Sequence, residues 1–176
     1  MLNLRGRRVG NSAEMANRDR FPAVFSRKPG PWIALSGAIG FGRLEDIVAH
    51  QFAEEFKLEV YALINTSPGA RRDFKFNDQL RRAASGIGPA IAEGFGREKA
   101  SEFVTFLRYA LASLAEAGTH LKDGIDRGHF AEADCRLAFT WARRCRPVLR
   151  NLLASQQRLA AADKAAKSRR RRRGSS

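Results

Sequence analysis

The chain has only two cysteines, two methionines, two tryptophans, two tyrosines and three histidines among 176 residues. These scarcities exclude several kinds of protein. Cys135 and Cys145 lie ten residues apart on what reads as one helix, about 15 Å at ~1.5 Å per residue, too far for a disulfide between them. A disulfide-stapled scaffold is therefore excluded, and a reducing, cytoplasmic setting is expected. His50, His120 and His129 have no metal-ligand spacing with one another or with the cysteines, so neither a metal nor another cofactor is expected. No apolar run approaches the ~20 residues that span a bilayer. The longest uncharged stretch, residues 29–42, is broken by Pro and Gly and lies too deep in the chain for a secretion signal. Phosphate loops, nucleophile elbows and carboxylate-bearing metal helices are missing as well. Neither catalysis nor a small-molecule substrate is expected.

What is abundant is positive charge, and it is unevenly placed. The net charge is +14. Residues 1–42 hold seven Lys/Arg against two Asp/Glu, and residues 163–176 hold seven against one, leaving 18 against 15 in between. The ends therefore supply most of the long-range attraction for a polyanion. Hydrophobic residues make up 44%, enough for one domain with a real core. Residues 1–42 are rich in Gly and Pro and lack periodicity, which predicts a disordered basic extension. Residues 163–176, KAAKSRRRRRGSS after Asp163, have almost no apolar content and predict a disordered Arg-rich tail.

Between them, over 43–162, hydrophobic spacing predicts helices. Val48, Phe52, Phe56, Val60 and Leu63 draw a stripe on a first helix from about Arg43 to Asn65, which Ser67-Pro68-Gly69 ends. Phe74 and Phe76 alternate in a polar stretch from Ala70 to Asn77, read as an extended piece. A second helix starts near Asn77 or Asp78, bends at Ile87 to Pro89 and stops at Gly94. The third, about Lys99 to Arg127, has a seam of Phe103, Leu107, Ala110, Leu114, Ala117 and Leu121, with Gly128 as its stop. The fourth, about Ala131 to Ala162, puts Cys135, Ala138, Ala142, Cys145, Leu149 and Leu152 on one seam. Leu137, Trp141 and Val148 form a second apolar flank, available for self-association. Short connections between four such helices favour antiparallel neighbours, an all-α up-down-up-down bundle.

The stretch from Asp78 to Ala117 carries the most information. Gln79 to Ala84 reads QLRRAA, Ile91 to Arg97 reads IAEGFGR, Glu102 to Glu116 reads EFVTFLRYALASLAE, and Leu58 to Tyr61 reads LEVY. On these pieces, residues 44–153 resemble the four-helix bundle proteins encoded within intervening sequences of bacterial 23S ribosomal RNA genes. Those proteins are in turn similar to the accessory subunit of diversity-generating retroelements. The resemblance implies a four-helix bundle, assembly into a homopentamer, and nucleic acid, structured RNA or an RNA–DNA hybrid, as the partner. Two departures stand out. His50 precedes Gln51 where the family has tryptophan. Gly88-Pro89-Ala90 replaces the family's Pro-x-Asn, so no role of that asparagine carries over.

Clustered arginines are the candidate contacts, since cationic side chains on phosphates supply most sequence-independent affinity. Arg71, Arg72, Lys75, Arg81 and Arg82 form one cluster, and Arg143, Arg144 and Arg150 another, with Arg146 beside them. A ring would multiply either patch. Solvated helix faces are the plainer reading of both. A scaffold that binds protein through the second flank of the fourth helix is the alternative function. Arg43 and His50, six residues between them, also resemble the arginine–histidine pair of helical toxin ribonucleases, a short pattern that here opens the first helix.

Overall fold

The computed structural model describes residues 43–97 and 99–173, all within one compact unit. The expected extension over 1–42 lies outside the described residues. A 3-10 turn, Leu44–Asp46, leads into α1 (Val48–Thr66). Then follow α2 (Pro68–Arg72), α3 (Phe74–Ser85), α4 (Ile87–Phe95), α5 (Ala100–Asp126) and α6 (Glu132–Arg173). The described residues are all-α, with no strand among them.

The segment expected to be extended is helical, for two capping reasons. Ser67 Oγ accepts the Ala70 N–H at 3.1 Å with Pro68 at the first helical position, starting α2. Asp73 Oδ1 accepts the Phe76 N–H at 3.1 Å, starting α3 four residues before the expected N-cap. Phe74 and Phe76 still point in opposite directions, because two residues on a helix turn through about 200°. Phe76 is buried and Phe74 is 81% exposed.

Pro89 divides the second helical stretch. Its ring would collide with the carbonyl four residues back, at Ser85, and α3 does end there, with Gly86 between it and α4. Pro89 then occupies the first turn of α4, where no N–H is required. Gly94 does not stop this helix as expected; α4 runs to Phe95 and is capped by Gly96. Gly94 is instead a point of close approach, since a Cβ there would lie 2.4 Å from Phe103 Cδ2. The only left-handed residue among those described is Gly128, φ 71°, which ends the α5 turn as the sequence predicts.

α5 packs on α3, α4 and α6, and α1 packs on α3, α4 and α6. Every residue of the predicted α5 seam is buried. On α1 the buried face is rotated slightly from the predicted stripe. Ala49, Ala53, Phe56, Val60, Leu63 and Ile64 are buried, while Phe52 sits at the edge and meets Trp141, ring centroids 5.6 Å apart. That contact alters the reading of α6. Trp141 is 5% exposed, and Leu137 and Val148 pack partly buried against the core. The second flank is thus largely taken up within the chain, and Ala142 sits at its margin.

α6 also corrects the expected disordered tail. The helix continues past Ala162 through Arg173, with residues 161–173 fully on the surface. Ala160, Ala161, Ala162, Ala165 and Ala166 are strong helix formers, Lys and Arg are good ones, and no Gly or Pro intervenes before Gly174. The cations also lie at the helix end where the macrodipole is negative. Pro147, inside α6, leaves the Arg143 carbonyl without its helical donor, on the exposed side of the helix.

Candidate nucleic-acid interface

The outer face of α6 is built by periodicity. Its buried line runs through Cys135, Ala138, Trp141, Cys145, Leu149 and Leu152. Arg136, Arg143 and Arg150 recur every seven residues on the opposite side, within about 40° of one another at ~100° per residue. They span about 21 Å of helix axis, and Arg158 extends the row about two turns further. Arg146 lies at its edge. All five are exposed. From Arg136 to Arg158 the sequence has six arginines and no acid.

This bias is particular to α6. Counting its whole length, thirteen Lys/Arg stand against three Asp/Glu, a net +10. α1 carries Glu54, Glu55 and Glu59 against Lys57, a net −2. α5 mixes both signs on its exposed face, as a merely solvated helix does. The hydrogen bonds along the row are local and leave charge outward. Arg143 Nη2 reaches Thr140 Oγ1 at 3.0 Å, and Arg136 Nε reaches the Ala133 carbonyl at 3.2 Å. Arg144 lies off the row, its guanidinium 5.2 Å from the Trp141 ring centroid. Arg136, Arg146 and Arg158 belong with Arg143 and Arg150, and their spacing in the sequence was the signal for it. Beyond them, a groove of about 770 Å³ opens between Lys99 and Ser101 at the start of α5 and Lys164, Lys167 and Arg172 on α6.

The other predicted cluster separates into different roles. Arg71, Arg72 and Lys75 are exposed and form no ion pair among the described residues. Arg82 is exposed but pairs with Asp78 at 2.9 Å, a contact of little energetic weight that a phosphate can displace. Arg81 is different. Its Nε donates to Asn77 Oδ1 at 2.7 Å, its Nη2 to Asn65 Oδ1 at 2.6 Å, and the guanidinium lies 4.7 Å from the Tyr61 ring centroid. It pins α3 to α1.

At the same end, Asp73 ties α3 to the α5–α6 connection. Its Oδ2 accepts from Arg127 Nη1 at 3.2 Å and meets His129 Nε2 at 3.2 Å, while Ser67 Oγ donates to the His129 carbonyl at 2.6 Å. The Phe76 N–H, then His129 and Arg127, hold the Asp73 carboxyl below its usual range. A depressed carboxylate gives stability that is fully present above the ordinary pKa near 3.8 and is lost as pH falls through its lower folded value. Asp73→Asn is therefore expected to melt lower than the native chain at neutral pH and to lose less on acidification below about pH 4. Thermal melts across pH check this; parallel acid limbs for both proteins would remove Asp73 from the network.

The remaining chemistry-bearing groups have structural settings. Burial pushes the Cys145 thiol up to about 12, and burial with the nearby Asp134 and Glu132 charges pushes Cys135 up to about 11; both side chains are packed in the core. Arg43 pairs with Asp46 at 3.4 Å, and His50 Nε2 lies beside Gly88 and Glu54. No group of three metal-ligating side chains occurs among the described residues. None of the described helices is long and apolar enough to cross a membrane.

These features define a basic protein, all-α over its described residues, whose cations are concentrated along one helix. The family follows: the chain belongs to the 23S rRNA-intervening sequence proteins, matching over residues 45–151. The match stops one residue past Arg150, so the rest of α6 lies outside the matched region. No curated protein matches the chain.

Proposed function

We propose that this protein is a non-enzymatic, cytoplasmic nucleic-acid-binding protein. Structured RNA or an RNA–DNA hybrid lies along the outer face of α6 in this reading. One observation carries it: α6 holds a net +10 of the chain's +14, and between Arg136 and Arg158 no acid interrupts the cations. A surface of one sign, backed by a helix of opposite sign, orients a polyanion toward that face. The family's name, which refers to ribosomal RNA, supports RNA as the partner.

The proposed architecture is an antiparallel up-down-up-down four-helix bundle, with α1, α2–α4, α5 and α6 as its four rods. The proposed assembly is a homopentamer, as the family resemblance implies, and it would place five α6 faces around one ring. Light scattering is then expected to give about 98 kDa, five times 19.6 kDa. The protein-scaffold reading loses its main support, because Trp141 is buried.

Titration of the full chain with RNA at several salt concentrations tests the proposal. Log affinity is expected to fall linearly with log salt, with a slope set by the number of phosphates neutralised. Ending the chain at Ala162 removes Lys164, Lys167 and the five arginines. It is expected to leave the fold intact, since residues 161–173 bury nothing, and to shallow that slope. Salt-independent affinity, or none at low salt, would refute the function.

A further inference from the structure

Phe74 is the most exposed large apolar side chain among the described residues, at 81%. It lies between Arg72 and Lys75 in sequence and lines a shallow recess of about 270 Å³ with Pro68, Arg71 and Arg72. The one acid in this stretch, Asp73, is engaged elsewhere. Its Oδ1 caps α3 at Phe76, and its Oδ2 is shared by Arg127 and His129. An outward aromatic ring therefore shares its recess with Arg71 and Arg72 and is followed in sequence by the exposed Lys75, with the one intervening negative charge engaged elsewhere. Phe76, two residues on, is buried against the His129 and Phe130 rings, so core packing uses one phenylalanine of the pair and leaves the other free. No fold requirement accounts for an aromatic at position 74; alanine or glutamate would serve better at the exposed start of a helix.

The geometry points to Phe74 as a stacking platform for an unpaired nucleobase, with Arg71, Arg72 and Lys75 holding the adjoining phosphates. An aromatic face gains from a base only when the base is out of its own stack, as in a loop, bulge or free end. A continuous duplex offers the three cations its phosphates but cannot offer Phe74 a base. The patch thus selects single-stranded segments, whereas the α6 row, having no outward aromatic, accepts phosphates of any geometry. The α6 row begins at Arg136, near this patch, and runs away from it toward the end of the helix. Phe74 lies by the α5–α6 connection, which Asp73 contacts, while the groove at Lys99 and the end of α6 is about 40 Å away along the 27 residues of α5.

The inference rests on the proposed nucleic-acid function, and the test separates the two. Full-length native protein, Phe74→Ala and Phe74→Tyr are titrated by fluorescence anisotropy at fixed salt. The probes are an unstructured oligouridylate and a blunt RNA duplex with the same number of phosphates. Phe74→Ala is expected to weaken the single strand by roughly tenfold to a hundredfold and to leave the duplex within about twofold. Phe74→Tyr, which keeps the ring, is expected to restore single-strand binding. Native protein that binds both RNAs but shows no single-strand loss in Phe74→Ala overturns the stacking platform and leaves the nucleic-acid function standing. Equal loss on both RNAs, or a change of assembled mass in Phe74→Ala by light scattering, also overturns it, the latter by making Phe74 a contact between copies. Native protein that binds neither RNA sinks the function itself.

Discussion

Glutamate at Arg136, Arg143 and Arg150 together is expected to lower RNA affinity by roughly a hundredfold or more at moderate salt, and to flatten the salt dependence by about three phosphate contacts. The direction follows from position. The three guanidinium groups lie on one line, opposite the buried residues of α6, where a rigid duplex or folded RNA can meet them at once. In the proposed complex each displaces one counterion, so the slope of log affinity against log salt is expected to lose close to one unit per residue. Reversal adds repulsion that simple removal would not. The fold is expected to survive, since all three are exposed and the hydrogen bonds of Arg136 and Arg143 stay within one turn of their own helix. Circular dichroism checks that, and anisotropy titrations check the slope. Reversal of Arg108 and Lys122 on α5, where acids are interspersed, is the matched control and is expected to change the slope much less. An unaltered slope in the α6 triple variant would move the interface to another face.

The parts of this molecule that could be read from sequence are those decided by one helix alone. The α5 seam needed only its own three-four spacing, and each of its residues is buried. The Gly128 stop needed only a residue that tolerates positive φ. The misreadings concern choices made by a neighbour. Trp141 and Ala142 are both compatible with the α6 seam, since a straight helix drifts against a seven-residue repeat. Phe52 of α1 decides between them by packing on the indole. Phe74 and Phe76 fit a strand or a helix equally well until Asp73 caps one. Gly94 looked like a helix end because glycine is a common one, whereas the close Phe103 ring gives the actual reason for it.

The candidate site divides along the same line. Arg81 and Arg82 are indistinguishable in the sequence, yet Asn65 and Tyr61 of α1 capture only the first. Arg71, Arg72 and Lys75 are left open because the acid beside them is held by His129 and Arg127, more than fifty residues away in sequence. The α6 row was available from spacing alone, since Arg136 lies seven before Arg143 and Arg150 seven after. Grouping the arginines by proximity in sequence hid it, because neighbours on a helix are three, four and seven residues apart. The helical tail was hidden by its charge: the run of arginines suggests repulsion and disorder, while the alanines before it and the helix dipole favour continuation.

Leu114→Ala is expected to cost roughly 2–5 kcal/mol of folding stability. Leu114 is 1% exposed near the middle of α5, and Ala110 and Ala117 flank it on the same seam. With alanine at 114, three successive seam positions would carry only a methyl group. The surrounding helices are anchored elsewhere, at Arg81 with Asn65 and at Asp73 with His129, so they cannot close on the void without breaking those ties. The cavity therefore stays open and the loss lies toward the upper part of the range. For a chain of this size each kcal/mol corresponds to a melting shift of about 2–4 °C, so the variant melts roughly 4–20 °C lower. Tyr109→Ala, at a 58% exposed position on the same helix, is expected to stay within about 0.5 kcal/mol of the native protein. Denaturant and thermal unfolding of the pair measure the contrast directly. Equal, small shifts for both would mean that α5 does not form the centre of the core. A large shift for Leu114→Ala alone, with RNA affinity unchanged well below its melting point, would show that the buried seams set the fold while the outward cations of α6 act independently of it.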